Sequence, residues 1–154
     1  MSNWFDVDHI DVERLLSGWR WLCPKPMALV ARNAFGDLFL RDEGGEVCWL
    51  DVAIGKLVKI ADLEAQFHEL THLNRQEWFA ESDELAAAAR GLIPNATQCI
   101  GFSVPLMFRE GGSPDTPYIA ELYEHVSFLG DLNRQISNLP DGTRVRLKIE
   151  PEKH

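Results

Sequence analysis

Cysteine is scarce in this chain, and the little there is lies scattered. Cys23, Cys48 and Cys99 are odd in number, far apart and without C-x-x-C spacing. They offer neither a disulfide framework nor a paired-thiol motif, and in a reducing cytosol they read as small buried apolar residues. Long apolar runs are missing too: every candidate is broken by Lys, Arg or Glu, so no stretch suits a bilayer crossing. The start, Met1-Ser2-Asn3-Trp4-Phe5-Asp6, has neither the basic residues nor the apolar run of a secretory signal. The chain therefore reads as soluble and cytoplasmic. Basic residues are outnumbered, fifteen against twenty-four acidic ones, for a formal charge of −9. Such a field repels phosphate backbones and argues against nucleic acid, while it steers a basic protein inward; the lack of a long apolar run argues against a membrane. Also absent are G-x-S-x-G, the P-loop and G-x-G-x-x-G, so no cofactor is expected.

What is present suffices for one domain, 1–154. The chain is 45% hydrophobic with five tryptophans. A chain of this length buries about 70% of the surface its unfolded form exposes. Residues 8–19 read as a helix capped by Asp8, with Val12, Leu15, Leu16 and Trp19 on one side. Apolar runs at 27–31, 38–40, 47–51 and 57–60 follow, separated by glycine-bearing turns. They predict an antiparallel meander. Asp62 is placed to cap a helix with Leu63, Phe67, Leu70 and Leu73 inward. Asn74 and Glu77 resemble a capping box for the next, with Trp78, Leu85, Ala86 and Ala89 inward. Strands are expected at 98–104, 119–123 and 143–149, and a helix at 126–136. Trp4 is the tryptophan expected to be most exposed. The fold expectation is α+β: a mostly antiparallel sheet of about six strands, with helices packed largely on one face.

One segment carries a catalytic motif. His68-Glu69-Leu70-Thr71-His72 matches H-E-x-x-H, in which two histidines bind zinc and the glutamate acts as base. On a helical wheel of about 100° per residue with Leu63 at zero, Phe67 and Leu70 fall near 40° and −20°, while His68 and His72 fall at roughly 140° and 180°. The imidazoles then point away from the apolar side, and no spacing supplies a third ligand. A solvated helix face is the preferred reading, with a zinc hydrolase as the alternative. His9 and His125 have no neighbour in sequence that would make them catalytic.

An ordered set of short pieces carries a family resemblance. Asn33-Ala34-Phe35-Gly36-Asp37-Leu38-Phe39-Leu40 precedes Gly45-Glu46-Val47-Cys48-Trp49-Leu50-Asp51 and Gly55-Lys56-Leu57. Gln98-Cys99-Ile100-Gly101-Phe102-Ser103-Val104-Pro105-Leu106, Gly111-Gly112 and 121–132 come later. Residues 27–150 resemble the C-terminal domain family of the type VI secretion immunity protein Tdi, leaving 1–26 as a helical segment outside it. The resemblance implies a non-catalytic antidote that binds a cognate bacterial toxin, a basic nuclease being one candidate. It implies no catalytic residues. A regulatory or small-ligand module is the further alternative. The acidic groups Glu81, Asp83 and Glu84, with Glu110 and Asp115, are the candidate partner contacts.

On the binding reading, purified protein carries no stoichiometric zinc, and His72→Ala changes neither its metal content nor its fold. Elemental analysis of the two proteins checks this. Stoichiometric zinc that disappears in the variant would restore the hydrolase.

Overall fold

The computed structural model describes residues 3–103 and 116–137. The expectations placed on Glu110, Asp115, Gly111-Gly112 and the strand at 143–149 lie outside the described residues. The elements run α1 (Val12–Leu15), a 3₁₀ turn (Leu16–Gly18), β1 (Ala28–Arg32), β2 (Leu38–Arg41), β3 (Val47–Asp51), β4 (Lys56–Ala61), α2 (Glu64–Thr71), α3 (Arg75–Phe79), α4 (Glu81–Ala89), β5 (Gln98–Phe102), β6 (Pro117–Glu121) and α5 (Leu122–Ile136). The α+β class holds, but the six strands form two sheets. An antiparallel meander is ordered β1-β2-β3-β4, and β5 pairs antiparallel with β6 alone. Its turns carry Gly36, Gly45 and Gly55 at positive φ, as tight connections demand.

Strand β2 shows why the meander is a core sheet. Leu38, Phe39 and Leu40 are all buried, so both faces of the strand are covered. Alternation sends Leu38 and Leu40 one way, with Leu50, Leu15, Leu16, Trp19, Val126 and Leu129. Phe39 points the other way, with Phe67, Trp78 and Phe79, its ring centroid 5.1 Å from Phe79 and 5.3 Å from Phe67. Helices therefore cover both faces: α1 and α5 pack on one, and α2 to α4 on the other. The expected one-sided packing is corrected accordingly. Edge strand β4 exposes Lys56 and Lys59, which discourage pairing with another sheet. The opposite edge is engaged by the N-terminal segment, where Arg32 N–H donates to the Trp4 carbonyl at 2.9 Å.

Several local expectations shift for identifiable reasons. The first helix is shorter than 8–19 and is capped by Asp11, whose carboxylate accepts from Arg14 N–H at 3.2 Å. The helix expected from Asn74 breaks at Ala80, a non-glycine residue in the left-handed region (φ 48°, ψ 48°). Asn74 does not cap; its side-chain amide donates to the Leu70 carbonyl instead. Leu85, Ala86 and Ala89 are exposed because the break re-aims α4, and Ala87 takes the inward position. Leu63 and Leu73 are exposed as well, since α2 ends at Thr71 and Leu63 is an extended N-cap. Neither belongs on that helical wheel. Trp4 is buried, its indole donating to Glu84 at 2.9 Å and its ring lying under the Arg32 guanidinium.

The 3₁₀ turn and α5 meet at close range through two glycines. A β-carbon on Gly130 would stand 2.4 Å from the Gly18 carbonyl oxygen and 2.9 Å from the Trp19 indole nitrogen. That indole donates to the Val126 carbonyl at 2.8 Å, and Trp21 donates to the carbonyls of both Gly18 and Gly130. Alanine normally gains about 1 kcal/mol over glycine inside a helix. Here overpacking against backbone outweighs that gain. Gly130→Ala is expected to destabilise by about 1–3 kcal/mol, measured as a lower urea midpoint.

Candidate functional site

The turn between β1 and β2 is built around two side chains. Asn33 uses all four of its hydrogen-bonding positions: Oδ1 accepts from Phe35 N–H at 2.9 Å and Asp37 N–H at 3.0 Å. Its amide donates to Asp37 Oδ2 at 3.1 Å and to the Trp78 carbonyl at 3.0 Å. Asp37 in turn accepts from the Trp49 indole at 3.2 Å and from Val52 N–H at 3.1 Å. One buried network thus ties the β1–β2 turn to β3, to the residue after it and to α3.

Beside this network lies a cleft of about 550 Å³. Its floor is Asp37, Trp49 and Val52, with Asp51 next to them. Phe35 and Phe102 line it as a stacked pair, 6.0 Å between centroids and 4° between planes. Glu77 from α3 and Asp83 from α4 add carboxylates, with Ala80 between them at the helix break. Tyr118 from β6, His125 and Phe128 from α5, and Arg90 at the end of α4 also line it.

The electrostatics of the floor are unusual. Burial and the neighbouring Asp51 carboxylate push Asp37 up to about 7, against the three donors that favour its charged form. Burial likewise raises Asp51, opposed by its hydrogen bonds from Ile54 and Ala53 N–H and by the charge of Lys56. His125 is held down at about 4 by burial. Its ring lies over Gly101, where a β-carbon would approach Cε1 to 3.1 Å. It makes no hydrogen bond among the described residues. The cleft therefore joins a neutral imidazole, aromatic faces and carboxylates. Binding polar and cationic groups is within its chemistry.

The residues singled out from sequence fall elsewhere, with one exception. His68, Glu69 and His72 are exposed on α2 and at its C-terminal cap. His68 packs against the Phe5 ring at 5.4 Å and stands 4.0 Å from Glu64. Among the described residues, no three His, Cys, Asp or Glu side chains group to hold a metal. Glu81 pairs with Arg75 at 3.1 Å, and Glu84 holds Trp4. Both line a smaller recess with Phe5 and Phe79. Of the described candidate contacts, Asp83 alone belongs to the main cleft. Sequence reasoning missed Asp37, Asp51 and His125. The signal was faint: an aspartate closing an apolar turn, another ending a strand, and one histidine inside a helical stripe. No helix among the described residues is long and apolar enough to cross a membrane. No family model matches the chain, and no match was found among curated proteins or solved structures.

The two shifted groups act on stability with opposite signs. Folded Asp37 holds its proton more tightly than the unfolded chain, whose value is 3.8, so its contribution falls as pH rises from there to about 7. Folded His125 holds its proton less tightly than the unfolded value of 6.5, so its contribution falls as pH drops toward about 4. Below 6.5 they oppose each other. His125→Asn is therefore expected to lose stability more steeply than the parent as pH rises between about 4 and 6.5. Asp37→Asn is expected to gain stability across the same interval. Urea unfolding at stepped pH checks both slopes.

Proposed function

We propose that this chain is a non-catalytic binding protein of the immunity type, which holds a cognate bacterial toxin in the cytoplasm and blocks it. The observation that carries the reading is the cleft: carboxylates Asp51, Glu77 and Asp83 stand beside exposed aromatic rings, on a chain of net charge −9. A basic partner such as a nuclease meets complementary charge there, which speeds encounter and makes it salt-dependent. The ordered likeness of residues 27–150 to the Tdi-type immunity domain supports the same reading. Insertion of a toxin segment into the cleft would neutralise it by occupying the groups that bind its target. No step of bond making is assigned to this chain.

A second reading, a regulatory module for a small ligand, is favoured by the cleft volume. About 550 Å³ lies within the range of small-molecule sites, and polar groups converge on an aromatic lining.

Co-expression with a toxin encoded by a gene adjacent to this one tests the first reading. Growth is expected to be restored, with a stable complex whose association slows about tenfold or more as salt is raised, because steering is screened. Continued killing with both proteins present rejects the pairing.

A further inference from the structure

Ion pairing among the described residues is distributed unevenly. Glu13, Glu46, Asp62, Glu64 and Glu81 each pair with an arginine or lysine. None of the cleft carboxylates, Asp37, Asp51, Glu77 or Asp83, does so among the described residues. Among the described residues, the cleft lining holds one arginine or lysine, Arg90, against those four. Asp37 spends its oxygens on Trp49, Asn33 and Val52. Asp51 differs. Its Oδ1 accepts from Ala53 and Ile54 N–H, while Oδ2 has no hydrogen bond among the described residues. Half-buried Asp51 lines the cleft and keeps one carboxylate oxygen without a hydrogen bond among the described residues, while its register partner on β4, Lys56, lends it a favourable charge. The stacked Phe35 and Phe102 lie along the same cleft, and Tyr118 and Phe128 remain 44% and 45% exposed.

We infer that this cleft is a receptor for an arginine side chain presented by a basic partner polypeptide, with Asp51 as the carboxylate that receives the guanidinium. A guanidinium is planar, stacks on aromatic faces and donates in a fork that a carboxylate accepts. The compact, strongly hydrated ammonium of lysine uses the ring faces less well. Glu77 and Asp83 are exposed on α3 and α4, placed to meet basic residues flanking the inserted arginine. Those outer carboxylates favour a polypeptide over a free amino acid, which would leave them unengaged. The inference rests on the binding-protein reading and adds to it the chemistry of the contact.

Calorimetric titration of the whole chain with three probes tests it: a short basic peptide with a central arginine, the same peptide with citrulline there, and N-acetylarginine amide. Citrulline keeps the shape and removes the charge. The arginine peptide is expected to bind at least about tenfold tighter than its citrulline counterpart, since the charge-assisted contact is lost. It is also expected to outbind N-acetylarginine amide, because the flanking basic residues add to the contact. Asp51→Asn and Phe128→Ala are each expected to weaken the arginine peptide by about fivefold or more. Phe128 is 45% exposed, so that variant is expected to stay folded, checked by its thermal midpoint, and remains informative if Asp51→Asn unfolds. Equal binding of the citrulline peptide, indifference to both substitutions, or no binding of the arginine peptide would overturn the assignment. N-acetylarginine amide binding as tightly as the peptide would overturn the polypeptide partner. Absence of peptide binding together with protection in co-expressing cells would remove the arginine site and leave the inhibitor reading standing.

Discussion

The saturated hydrogen-bond network of Asn33 and Asp37 is the constraint on which the rest of the molecule rests. It is buried, and each of its partners belongs to a different part of the chain: the turn itself, Trp49 on β3, Val52 beyond β3 and Trp78 on α3. In a low-dielectric interior an unmade bond to any of these groups would cost the full desolvation of that group. The turn, the third strand and the helix break are therefore held in one mutual arrangement. Buried Arg32 extends the same logic to the second sheet. Its guanidinium donates to the carbonyls of Asn95 and Gln98, and desolvation draws its acidity toward about 10. Ile100 N–H then donates to the Ala34 carbonyl at 2.8 Å, bringing β5 against the end of β1.

Around that polar seam the two apolar clusters do different work. The one facing α5 is drawn close by small residues and indole donors, with Gly18, Gly130, Trp19 and Trp21 meeting at backbone distance. The other is a pile of rings centred on Phe39, whose large faces tolerate several tilts. Between the helices of the two faces, at the end of the meander that carries the turn network, the cleft is left open. Its carboxylates thus sit beside a rigid floor, with the α3–α4 break on one wall and α5 on the other.

A binding role draws on both the rigidity and the charge. A preformed cleft spends little on ordering itself when a partner arrives. Carboxylates without an ion pair among the described residues gain from a cationic guest, and this is a physical basis for affinity. Ala80 fits the same picture. A left-handed alanine costs roughly 1–2 kcal/mol, held where the break turns Glu77 and Asp83 toward one space.

Much of the fold was legible from local patterns. Glycine turns and short apolar runs specify the four-stranded meander, because strand alternation and positive-φ turns are encoded by neighbouring residues. The outward position of His68 and His72 was legible for the same reason, since helical period is local. What the sequence could not set was the boundary of each helix: Leu63 and Leu73 look apolar and inward until α2 proves two residues short of them at one end and one at the other. The site was almost illegible. Asp37, Asp51 and His125 are separated by up to 88 positions, and their altered acidity comes from burial and proximity, which only tertiary packing creates. Local pattern alone specifies an acidic α+β chain with a turn-rich sheet. Packing divides the described strands into two sheets, sets helices on both faces and brings Asp37, Asp51, Glu77 and Asp83 to one cleft, because convergence depends on long-range contacts that no local pattern records.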